Sequence, residues 1–178
     1  GDPGVGDTLE HALGISRNNS MAPDYKGIEL KASRITRGGV KKSKTRVNLF
    51  AKVPEFGMSY SEIVRAYGKW VYIESKGEDR LAIENTTFAT HPNSFGLILD
   101  VNADNDRLNM CHIEPDQKLK YLSHWQISHL RQQLLVKHRE TFWVKAQSIY
   151  KDGIEWFRYD KIIHTKNPND SLFAPLIE

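Results

Sequence analysis

The residues Asp24-Tyr-Lys-Gly-Ile-Glu29-Leu-Lys31 put two acids and a lysine within one short stretch of chain. If the segment from Gly27 to Ser33 is a strand, alternation sends Glu29 and Lys31 to one face and Ile28 and Leu30 to the other. Two carboxylates and an ammonium on one surface make a seat for a hard divalent cation and a water. Mg²⁺ takes oxygen ligands, is held by one or two carboxylates and leaves its other positions to water and phosphate. The chemistry such a group can do is hydrolysis of a phosphodiester. A surface strand with an ordinary ion pair would show the same triplet, and such pairs contribute only about 0–1 kcal/mol. The residues around the triplet therefore decide its meaning.

Upstream stands Gly6-Asp7-Thr8-Leu9-Glu10-His11-Ala12-Leu13-Gly14-Ile15, and downstream Ala32-Ser33-Arg34. A weaker late match covers Glu155-Trp-Phe-Arg-Tyr-Asp-Lys-Ile-Ile-His164 and Phe173-Ala-Pro-Leu-Ile-Glu178. Together these resemble the MvaI/BcnI family of restriction endonucleases, within the PD-(D/E)XK nuclease superfamily. The MutH/Sau3AI enzymes are similar but more distant, with a longer gap between the acid and Glu-x-Lys. The resemblance implies an α/β (α+β) fold: a restriction-endonuclease-like core whose mixed central sheet is flanked by helices and carries inserted antiparallel strands. It implies a single nuclease domain over 1–178. Related enzymes continue past the Phe-x-Pro-Leu-Ile-Glu region, so the expectation is either a catalytic domain from a larger protein, with a C-terminal extension or a fused or separate DNA-reading domain sharing target specificity, or a naturally short member. The implied activity is that of a type II site-specific deoxyribonuclease acting on double-stranded DNA as a monomer. Asp24, Glu29 and the backbone carbonyl of Leu30 would hold Mg²⁺, with Mn²⁺ as a substitute. Lys31 would hold and help deprotonate the attacking water or stabilise the pentavalent phosphorus. Glu10 would complete the acidic cluster or serve a second metal. A MutH-like methylation-directed nickase and a catalytically inactive DNA-binding module are the alternatives.

Charge supports a polyanionic partner by its placement. Arg34, Arg37, Lys41, Lys42, Lys44 and Arg46 fall between Ser33 and Arg46 with no acid among them, so a chain of net charge +3 sums to −3 elsewhere. A basic, glycine-punctuated loop directly after the triplet is placed to grip phosphates, although alone it would read as a solvated hairpin. In the late segment Arg158, Tyr159, His164 and Lys166 could contact guanine or phosphate.

The elements that must position these groups follow from periodicity and punctuation. Helices are expected over Thr8–Leu13, over Glu62–Tyr67 with a cap at Ser59 or Ser61 and a stop at Gly68, over Ser123–His138, and after Ser171. Strands are expected over Gly27–Ser33, Arg46–Lys52, Trp70–Glu74, Arg80–Ala89, Phe95–Ala103, Arg107–Glu114, Thr141–Tyr150 and Ile154–Tyr159, with a short helix or loop reaching His164. Trp70, Trp125, Trp143 and Trp156 read as core. No zinc motif appears among the histidines. At 178 residues, 39% hydrophobic and 26% charged, the chain is globular and large enough for a real core. No apolar run could span a bilayer, and the single cysteine, Cys111, excludes an internal disulfide. A cytoplasmic, microbial protein with no membrane contact is expected.

Overall fold

The computed structural model describes residues 3–16, 22–35, 48–74 and 76–168. Arg37, Lys41, Lys42, Lys44 and Arg46 of the basic loop lie outside the described residues, as does the helix expected after Ser171. The chain divides into two compact units, one over Gly1–Ala51 and Gln132–Asn169, the other over Lys52–Arg131 and Asp170–Glu178.

The first unit carries α1 (Pro3–Ala12), β1 (Glu29–Arg34), β8 (Glu140–Lys151) and β9 (Ile154–Lys166), with three strands in the order β1-β8-β9. β1 runs parallel to β8, with Glu29 level with Thr141, and β9 runs antiparallel to β8. The sheet is therefore mixed, as expected. One face bears Leu30, Val144 and Ala146, all buried, and the hydroxyl of Tyr159 donates from it to the Val5 carbonyl of α1 at 2.8 Å. The other face bears Glu29, Lys31, Thr141 and Trp143.

The second unit is an antiparallel meander. β2 (Phe56–Gly57), β7 (Leu119–Gln126), β6 (Arg107–Ile113) and β5 (Leu97–Asn102) form one sheet, and β3 (Lys69–Ile73) and β4 (Glu78–Ala82) form a hairpin. Its core gathers Ile63, Leu97, Leu108, Met110, Cys111, Leu122 and Trp125. α2 (Tyr60–Tyr67) begins with the expected cap: Ser59 and Glu62 form a reciprocal capping box, and Gly68 closes the helix. α3 (Ile127–Lys137) contributes residues to both units.

Several expectations are corrected. The helix expected from Ser123 starts only at Ile127, because residues 119–126 form β7, held on both sides by β6 and β2. Trp125 and Ile127 mimic a helical stripe, but pairing with two neighbours overrides local pattern. β9 continues through His164 to Lys166 without a helix, since β8 offers a partner along its whole length. The strand expected over Arg80–Ala89 ends at Ala82, and 48–52, the described part of the strand expected over Arg46–Lys52, is irregular. Trp70 and Trp156 are 72% and 60% exposed and are not core residues.

Candidate active site

The spacing of Asp24 and Glu29 is explained by a tight turn. Tyr25 and Ile28 exchange both backbone hydrogen bonds, N to O at 2.9 Å and 2.8 Å, and the two residues between them, Lys26 and Gly27, have φ of 50° and 84°. Positive φ at both central positions is the type I′ hairpin turn. Glycine adopts this conformation freely, whereas lysine does so at a cost. The turn folds Asp24 back beside β1, where its Oδ2 accepts from the Leu30 N–H at 3.0 Å. Replacing Gly27 with alanine should destabilise the turn by about 1–2 kcal/mol, the usual cost of a side chain in left-handed backbone. A Cβ there meets nothing within 4 Å. Any loss of activity in that variant, read against its melting temperature, therefore reports misplacement of Asp24 rather than a clash.

Glu29 and Lys31 emerge together, as alternation requires. Lys31 Nζ lies 2.6 Å from Glu29 Oε1, but off hydrogen-bonding direction, so neither carboxylate oxygen has a partner in hydrogen-bond geometry. The Glu29 side chain is 1% exposed against 20% for Lys31. Burial pushes the Glu29 carboxyl above its ordinary value of 4.5; contact with Lys31 and the charge of Lys137 pull it down, and the negative charge of Asp24 pushes it up. The carboxylate is thus ion-paired at Oε1 by Lys31 and Lys137 while its buried Oε2 has no hydrogen-bond partner beside the second acid, Asp24. Two carboxylates, Asp24 and Glu29, are oxygen donors of the kind that suit a hard divalent ion.

Two residues of this site escaped sequence reasoning. Lys137, the last residue of α3, brings Nζ to 3.6 Å from Glu29 Oε1. His138 is buried and stacks on Trp143, with ring centroids 6.0 Å apart. Its Nε2 is 2.9 Å from the Leu49 carbonyl and its Nδ1 3.1 Å from Thr141 Oγ1. Burial lowers its pKa; the Leu49 carbonyl raises it, the charges of Lys31 and Lys137 lower it, and Asp24 raises it. A cation at a helix C-terminus is ordinary, so nothing in the sequence marked Lys137 as part of the site.

The remaining expected residues are placed as follows. Glu10 lines an open cleft of about 690 Å³ along α1 with Asp7, Thr8, His11, Gly14, Ile15 and Ser16. Among the described residues no three acid, histidine or cysteine side chains gather as a metal cluster. Arg34 is bound at 2.6 Å to Glu155 and lies over the Phe157 ring, within the first unit. Tyr159 turns its hydroxyl inward to α1. His164 and Lys166 both face Glu140, at 2.7 Å and 3.0 Å, and Arg158 faces Asp160 at 2.7 Å.

The fold agrees with what the chain resembles. The model of the MvaI/BcnI restriction endonuclease family matches residues 1–178. The restriction endonuclease MvaI in complex with cognate DNA substrate is similar in structure, with a TM-score of 0.76 and 21% identity over 93% of this chain and 66% of that one. MvaI in the absence of DNA gives a TM-score of 0.50 at 17% identity, over 96% of this chain and 71% of that one. This chain thus spans about two thirds of the length of MvaI. No curated protein sequence matches it. No helix among the described residues is long and apolar enough to cross a membrane. The chain belongs to the MvaI/BcnI restriction endonuclease family.

Proposed function

We propose that this chain is a Mg²⁺-dependent, sequence-specific endonuclease that hydrolyses phosphodiester bonds of double-stranded DNA. The observation that carries the reading is the buried Glu29 carboxylate beside Asp24, ion-paired to Lys31 at Oε1 and with no hydrogen bond to Oε2. Asp24, Glu29 and the Leu30 carbonyl would hold Mg²⁺, and Mn²⁺ suits the same oxygen ligands. The bound ion would supply Lewis-acid stabilisation of charge developing on the phosphate oxygens. Lys31, with its ammonium beside Glu29, orients the attacking water and offsets charge on the phosphorus centre. In the net reaction the water oxygen joins phosphorus while the sugar oxygen leaves with a proton. Lys137 adds a second positive charge near the same oxygen of Glu29. Glu10 is proposed to support the site from the α1 cleft. Duplex DNA is the proposed partner, bound by a monomer in the cytoplasm of a microbe, with contacts from Arg34, the basic loop and the β9 residues Arg158, His164 and Lys166.

Incubation with plasmid DNA of known sequence tests the reading. Discrete fragments with fixed, mappable ends are expected with Mg²⁺ and none with EDTA. Random degradation, or fragments that persist in EDTA, would overturn it. Nicked circles that depend on site methylation would instead favour the MutH-like alternative. Salt-sensitive binding without cutting would favour an inactive module.

A further inference from the structure

The sheet face that bears Glu29 and Lys31 continues past the candidate active site. β1 adds Ser33 on that face, level with Lys145 of β8, and Lys145 stands opposite Lys161 of β9. Lys145 Nζ donates to Ser33 Oγ at 2.7 Å. Ser33 lies two residues beyond Lys31, about 6.6 Å along a strand rising about 3.3 Å per residue.

Two lysines directly opposite in an antiparallel pair repel, and such like-charge pairs destabilise a sheet. Neither forms an ion pair among the described residues: Lys145 contacts Ser33 and Lys161 has no ionic partner. The acids nearest them in register are engaged elsewhere. Glu29 faces Lys31 and Lys137, and Asp160, at the irregularity between Lys145 and Ala146, is bound by Arg158 and Gln147. Lys161 is exposed and Lys145 half-buried on its serine tether. An uncompensated cation pair, one member held in place, is a feature that an anion would relieve.

We propose that Lys145, steadied by Ser33, and Lys161 bind a backbone phosphate of the duplex neighbouring the one that is cut. The assignment rests on the nuclease reading above. It places the DNA strand along the β1-β8-β9 face, running from Lys31 toward the β8–β9 turn.

The test is binding to a duplex carrying the mapped cut site, followed in EDTA over a salt series. The slope of log affinity against log salt falls by about 0.9 for each phosphate contact removed. Lys145→Met should be shallower than the wild type by that amount, and Lys145→Arg should keep the wild-type slope. A structural role for Lys145 would weaken binding without moving the slope. A wild-type slope in a folded Lys145→Met protein overturns the proposal. Should that variant fail to fold, Lys161→Met, on the exposed edge strand, decides by the same criterion. If the unmodified protein cuts DNA while the slopes coincide, only this phosphate site is wrong. If it neither binds nor cuts, the nuclease reading itself has failed.

Discussion

Glu29→Gln is expected to abolish DNA cleavage and, without metal, to raise the melting temperature at neutral pH. The two effects have one cause. Burial outweighs the pull of Lys31 and Lys137, so the carboxyl sits above its ordinary 4.5 in the folded protein. A group raised in this way favours the fold fully below about pH 4.5, and that contribution is lost as pH rises through the folded-state value. Glutamine carries no charge at any pH, so the stability difference between variant and wild type should be small near pH 4 and grow toward neutrality. The lysines left behind, with side chains 20% and 14% exposed, can turn their ammonium groups to water. Metal should reverse the order. If the proposed site holds Mg²⁺, the ion would stabilise the wild type by an amount that grows with the logarithm of its concentration above Kd, and the variant would lack one ligand. Loss of a metal's transition-state stabilisation, several kcal/mol, corresponds to about 10³-fold or more in rate. Thermal melts at several pH values, with and without Mg²⁺, read the stability arm, and single-turnover cleavage reads the other. Retained cutting, or a variant less stable than wild type at neutral pH in EDTA, would refute the assignment of Glu29.

Lys31→Met and Lys137→Met should separate the two lysines that share Glu29. Lys31 emerges on the same strand face two residues on and lies closer, 2.6 Å against 3.6 Å. Its removal should cost about 10²–10⁴-fold in single-turnover rate, the range for a group acting on the proton or charge of the reacting water. Lys137 arrives from α3, and its charge competes with a metal for the same carboxylate. Lys137→Met should therefore lower the Mg²⁺ concentration needed for half-maximal cleavage, with a rate loss of about tenfold or less, in line with one charge-assisted contact of about 1.5 kcal/mol. Identical Mg²⁺ titrations and rates for the two variants would sink this division of roles.

The heart of the site was legible in the sequence because it is local. Strand alternation is a property of the backbone, so Glu29 and Lys31 were bound to share a face once residues 27–33 read as extended. The type I′ turn that returns Asp24 to Leu30 is written in Lys26-Gly27, although only its glycine gives a sequence signal. What escaped comes from far along the chain. Lys137 and His138 reach the site through the end of α3, and no spacing rule links positions so distant. The β-rich parts were misread for a related reason. β7 takes its hydrogen bonds from β6 and β2, and β9 takes its length from β8, so neither is specified within its own window. The aromatic residues mislead similarly: Trp125 is buried on a strand that looked helical, whereas Trp70 and Trp156 face outward.

The hairpin that joins Asp24 to Leu30 closes over a separation of six residues, whereas Ser33 and Lys145 meet across 112. Hairpins form in about 1–10 μs, while pairings between distant segments wait for the entropy of a long loop to be overcome. The acidic half of the site can thus take shape during synthesis, soon after residue 30 leaves the ribosome. Its second lysine joins only once α3 has been translated and docked. A nascent chain would carry the proposed metal ligands before it carries the charge that Lys137 sets against them, and the proposed catalytic competence would mature late in folding.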